Sequence, residues 1–164
     1  MDAVERIVEQ WREQRPDLDT DPMLVVGRLL RVAQLVDSAL RPPFVAAGLG
    51  QGDFDVLAAL RRAGPPYART AGELRRELLV TSGAVTKQVD RLAARGLVRR
   101  DVGAPDARVR RISLTPGGVA LVDELMVLHL DNQRRLVAGL PPDQAAGLAK
   151  ALSRLLDDLD GEHG

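Results

Sequence analysis

The chain contains no cysteine, which removes disulfides, thiolate metal sites and thiol redox sensing together. Aromatic residues make up only 2%, with a single tryptophan and a single tyrosine, so any core must be assembled from Leu, Val and Ala, which suits helices. Only two histidines occur, His129 and His163, too far apart in sequence to suggest a catalytic pair or a metal cluster. Gly-rich phosphate loops, G-x-S-x-G elbows and paired metal-ligand motifs are missing, which argues against an enzyme and against a cofactor. No apolar run approaches the roughly 20 residues that cross a bilayer. The opening MDAVERIVEQ has neither the basic nor the apolar segment of a secretory signal, and points to a cytoplasmic protein without a membrane role.

Net charge is also missing: 23 basic residues balance 23 acidic ones. The balance is an average over unequal parts. Residues 82–115 carry a net of +5, while 1–50 carry −2 and 116–164 carry −4. Screening limits charge attraction to about 8 Å at physiological salt, so the local excess decides what the middle of the chain can bind. With 164 residues and 45% hydrophobic content, the chain can bury a sound core.

Helical spacing of Val4, Ile7, Val8 and Trp11 predicts a first helix over 2–14. RPDLDTDP ends it, and Thr20 or Asp21 can cap a second helix over about 22–40 with Val26, Leu29, Leu30, Ala33, Val36 and Leu40 at core spacing. A third is expected over about 52–63, stopped by Gly64-Pro65-Pro66, with Tyr67-Ala68-Arg69 extended. Thr70-Ala-Gly-Glu73 matches a capping box and opens a short helix over about 71–78. The next helix turns Val85, Val89 and Leu92 inward and stops at Gly96. The two short helices joined by 79–81 form a helix-turn-helix. Strands follow over 97–101 and 108–114 around a loop at 103–105. Thr115-Pro116 starts a long helix, and a last helix spans about 142–159.

This order predicts a mainly α protein with a small β-wing, a winged helix-turn-helix flanked by terminal helices. Residues 1–50 would serve dimerisation, 51–115 would form the DNA-binding region, and 116–164 would complete the dimerisation region. The terminal helices hold more apolar residues than one small winged domain can cover; a symmetric homodimer resolves this economically, and a monomeric six-helix bundle is the alternative.

The outer face of the helix before Gly96 presents Ser82, Gly83, Thr86, Lys87, Asp90 and Arg91, suited to phosphates and base edges of double-stranded DNA. Arg108, Arg110 and Arg111 near a ribbon tip suit the minor groove, with Asp106 placed to hold a guanidinium by a bidentate pair. Asp90 is expected to pair with Arg91 or Arg95. The competing reading is a winged-helix protein-interaction module with solvated charges, although such a module has no use for so basic a wing.

TSGAVTKQVDRLAARGLVRR followed by APDARVRRISLTPGG resembles the recognition helix and wing of the MarR family of bacterial transcription regulators, with Asp106, Arg108, Ile112, Leu114, Thr115 and Gly118 on its wing pattern. The resemblance covers about residues 22–160. It implies a homodimer that binds a pseudo-palindromic operator, usually as a repressor, and releases it when a small, often phenolic or anionic, ligand occupies a cleft between the dimer helices, with residues 1–50 contributing, and the winged domain. The leading helix ending in Trp11 is similar to the urate-responsive branch of that family. This implies ligand positions at Trp11, Asp55 and Arg100, with Gln88 where the branch has an arginine, so a purine anion would lose one cationic partner. Without the resemblance, Trp11 reads as a packing anchor, Asp55 as a cap or a partner of Arg61 or Arg62, and Arg100 as a phosphate contact.

Overall fold

A computed structural model describes residues 1–78, 82–101 and 111–161, with the side chains of Ser82 and Asp101 also outside the description. The described chain falls into two compact units, 1–42 and 43–164.

In the first unit, α1 (Ala3–Gln14) and α2 (Asp21–Leu40) pack on each other. Asp2 opens α1 by accepting from the backbone N–H groups of Val4 and Glu5 at 2.8 and 2.9 Å, while the Glu5 carboxylate accepts from the Asp2 N–H. That is a capping box at the very start of the helix. The hydrogen bond from Glu5 N–H and the Arg28 guanidinium hold the Asp2 carboxyl below its ordinary pKa. Pro22 sits in the first turn of α2, but Thr20 makes no side-chain capping bond. None of α2's residues is buried, and Val26, Leu29 and Leu30, expected in a core, are exposed. Their spacing marks an apolar face that the described residues of this unit leave exposed.

The second unit contains α3 (Pro42–Ala46), α4 (Asp53–Arg62), β1 (Ala68–Thr70), α5 (Ala71–Leu78), α6 (Ser82–Ala94), β2 (Val98–Asp101), β3 (Arg111–Leu114), α7 (Pro116–Val137) and α8 (Pro142–Gly161). Pro42 and Pro43 begin a helical turn, since proline is tolerated where the N–H would be unpaired anyway. The Thr70–Glu73 capping box forms: Glu73 N–H donates to the Thr70 hydroxyl at 3.2 Å, and Thr70 N–H donates to the Glu73 carboxylate at 2.7 Å.

The sheet is antiparallel in the order β1-β3-β2. Ile112 faces Arg69 on one side and Arg100 on the other, and β1 makes the hairpin three-stranded. The core lies between α4, α6, the sheet and the first half of α7, with Leu57, Leu60, Leu74, Leu92, Val85, Val89 and Val122 essentially without exposure. Thr115 caps α7, accepting from Gly118 N–H at 3.1 Å while its hydroxyl donates to the Gly96 carbonyl at 2.7 Å. Gly118 is required there because a Cβ would lie 2.0 Å from the Leu97 carbonyl oxygen. At the other end of the core Phe44 stacks on Phe54 at 4.3 Å, and His129 lies against both rings at 5.5 and 5.2 Å. Beyond Leu125 the burial stops: Leu128, Leu130, Leu136, Leu148, Leu155, Leu156 and Leu159 on α7 and α8 are exposed, and no α8 residue is buried.

Candidate nucleic-acid interface

The 3.6-residue period sorts α6 into three faces. Val85, Val89 and Leu92 enter the core. Gly83, Thr86, Lys87, Asp90 and Arg91 are exposed, and a Cβ at Gly83 would meet no atom within 4 Å. This is the polar face the sequence assigned to DNA; Ser82 lies in the first turn of the same helix.

The third face binds the turn that precedes α4. Arg91 donates from Nη2 to Asp53 Oδ1 at 2.6 Å and from Nε to Oδ2 at 3.3 Å, with a longer bond from Nη2 to the Gln51 carbonyl at 3.4 Å. The Asp53 side chain is only 2% exposed, against 47% for Arg91. Its carboxylate also accepts from Gly50 N–H at 2.8 Å, so the buried charge is both paired and hydrogen-bonded. The hydrogen bond to Asp53 raises the Arg91 pKa further above its ordinary value. Arg95 reaches the same turn, donating to the Gly48 and Ala47 carbonyls, each at 2.8 Å.

Gln88, on the same helix, is buried. Its Nε2 donates to the Gln51 carbonyl at 3.4 Å, and among the described residues its Oε1 has no hydrogen-bond partner. Gly52 stands against it at a φ of +76°, and a Cβ there would lie 2.0 Å from Gln88 Nε2, so only glycine fits.

Asp90 pairs with Arg100 on β2 at 2.6 Å, not with Arg91 or Arg95, because those two guanidinium groups are turned to the 47–53 turn. Arg100 is thus tied to the recognition helix itself. Asp55 is exposed in the first turn of α4, while Arg61 instead bonds Asp123 on α7 at 2.7 and 3.2 Å. Arg99 donates to the Ser113 hydroxyl at 3.1 Å across the ribbon. Arg111 is exposed on the central strand opposite Thr70 and Asp101. Asp106, Arg108 and Arg110, the 103–105 loop, the 79–81 link and His163 lie outside the described residues. Trp11 belongs to the first unit, about half exposed on α1.

Two groups escaped the sequence reading. Asp53 looks like any acidic residue in a first turn, and nothing local announces a partner 38 positions away. Arg75 and Arg76 are exposed on α5, the first helix of the helix-turn-helix, where a duplex backbone would pass. Their signal was available, as two adjacent bases on a short helix whose apolar residue Leu74 is buried.

Among the described residues, no helix is long and apolar enough to span a membrane.

Comparison with known proteins agrees with this architecture. The sequence model of the MarR family matches residues 47–112. Over 93% of its length, and 92% of the relative's, the chain is 38% identical to the HTH-type transcriptional regulator PecS of Dickeya dadantii. Among solved structures, a mutant MarR from Escherichia coli complexed with operator DNA is similar at a TM-score of 0.72. It shares 30% identity over 85% of this chain and 99% of that one. BpsR of Bordetella bronchiseptica, whose DNA binding is regulated by 6-hydroxynicotinic acid, gives a TM-score of 0.71 and 27% identity over 80% of this chain and 93% of that one. The chain therefore belongs to the MarR family of DNA-binding transcription regulators, winged helix-turn-helix proteins and not enzymes.

Proposed function

We propose that two copies of the chain bind a pseudo-palindromic operator as a repressor, with one α6 in each of two successive major grooves. The observation that carries this reading is the exposed polar face of α6, set beside an arginine-bearing ribbon in a chain similar over most of its length to an operator-bound MarR. Ser82, Gly83, Thr86 and Lys87 supply contacts to phosphates and base edges; Arg91 shares the face but directs its guanidinium to Asp53. Arg111 and, further out, Arg110 and Arg108 reach the adjacent minor groove, with Asp106 orienting Arg108. The bare apolar faces of α2, α7 and α8 favour a homodimer, since two copies can bury them against each other.

The effector in this reading is a small planar anion, urate-like or phenolic. Trp11, Asp55, Gln88 and Arg100 are its candidate contacts. An anion competing for Arg100 would release Asp90 and so act directly on α6. Reciprocity requires that a ligand which loosens DNA is itself held less tightly by the DNA-bound form.

Gel-shift titration of Arg108→Ala tests the DNA half. Affinity should fall at least about tenfold, or about 1.4 kcal/mol, without unfolding the protein. Unchanged affinity removes the wing from recognition. For the effector half, fluorescence of Trp11, the sole tryptophan, should be quenched by urate, salicylate or 6-hydroxynicotinic acid, with parallel weakening of DNA binding. Silence with all three argues against these residues as effector contacts.

A further inference from the structure

A third side of α6 is hydrogen-bonded to the turn that precedes α4. Gln88, Arg91 and Arg95 lie at i, i+3 and i+7, and all three end on the turn from Ala47 to Asp53. The apolar anchors Val85, Val89 and Leu92 hold α6 down, but the hydrophobic attraction that buries them is non-directional. Charge-assisted bonds from a planar guanidinium are directional.

We propose that Asp53 is a positioning residue for operator recognition: through Arg91 it fixes the rotation of α6 against the 47–53 turn. Discrimination between DNA sequences then depends on a carboxylate that is buried away from the duplex. The inference rests on the reading that α6 enters the major groove. Base-edge contacts require side chains held within about 0.5 Å and about 10–20° of their productive geometry, and a small roll of α6 displaces Thr86 and Lys87 together. A buried ion pair is a weak source of net stability, so geometry is the better account of why Asp53 stands here.

Charge and geometry predict opposite signs for one variant. Asp53→Asn keeps a side chain able to accept from Gly50 N–H, removes a negative charge and frees Arg91 for phosphate. Electrostatics alone therefore makes it bind DNA more tightly. Positioning makes it bind its operator more weakly.

The test measures affinity for two duplexes: one recovered by the wild-type protein from a randomised library, the other scrambled at the same length and composition. Asp53→Asn should lose about tenfold or more on the selected duplex and little on the scrambled one, with a salt dependence no shallower than wild type because phosphate contacts persist. Arg91→Lys, which keeps the charge but not the fork, should show the same loss of discrimination and carries the test if Asp53→Asn does not fold. The double variant should lose no more than either single one. Unchanged or tighter binding of the selected duplex by a folded Asp53→Asn overturns the proposal. So does an equal loss on both duplexes by Arg91→Lys, which would make Arg91 a plain phosphate contact. Failure of the wild-type protein to retain any duplex would instead overturn the groove reading, and this inference with it.

Discussion

Helices α4 and α2 are both amphipathic, yet they end in opposite circumstances. Six hydrophobic residues of the ten-residue α4, Phe54 and Val56 to Leu60, are buried, whereas none of the twenty residues of α2 is. The second half of α7 and all of α8 resemble α2 in this respect. The winged region around α4 thus builds its core from one chain, whereas α2, α7 beyond Leu125 and α8 bury no residue. An apolar stripe specifies that a face will be covered, but not whether the cover comes from the same chain.

The contrast is sharpened most by truncating one leucine on each side of it. Leu57→Ala should lower stability by about 2–5 kcal/mol, since Leu57 has no exposure and a cavity would remain. Because its neighbours come from the same chain, the loss in chemical denaturation should not depend on protein concentration. Leu30→Ala or Leu156→Ala should lose about 1.5–3 kcal/mol per copy, the value of burying a leucine, and only as assembly is weakened. That loss should grow on dilution, as mass action requires. Concentration-independent melting of both variants would erase the distinction between the two regions.

A smaller effect probes the winged region alone. The hydrogen bond from Thr70 N–H, followed by that from its hydroxyl, holds the Glu73 carboxyl below its ordinary pKa. Above the ordinary carboxylate range both folded and unfolded chains are ionised, and the capping box contributes in full. As pH falls through that range and then through the depressed value, the unfolded chain takes the proton first and the contribution is lost. The stability difference between the wild-type protein and Glu73→Gln should therefore shrink from about pH 7 to about pH 3. A gap that widens on acidification would mean that the box is not a charged cap.

Local chemistry was legible in the sequence. The Thr70–Glu73 box, the inward set of Val85, Val89 and Leu92, the left-handed Gly96 at a φ of +67° and the Thr115 cap each follow from a few neighbouring residues. Pairing across the chain was not. Asp90 was expected to take Arg91 or Arg95 and takes Arg100, because distant carbonyls and Asp53 claim the nearer arginines. Three-residue β1 is too short to show alternation, and only pairing with β3 makes it a strand. The core expected around Val26, Leu29 and Leu30 failed for a third reason: periodicity locates an apolar face without naming its partner.

Sedimentation equilibrium of the protein mixed with its selected duplex tests the central claim most directly. The account predicts two chains of 17.7 kDa on each duplex, already paired before DNA is added. One chain per duplex, or duplex sedimenting alone in low-salt buffer, would contradict it.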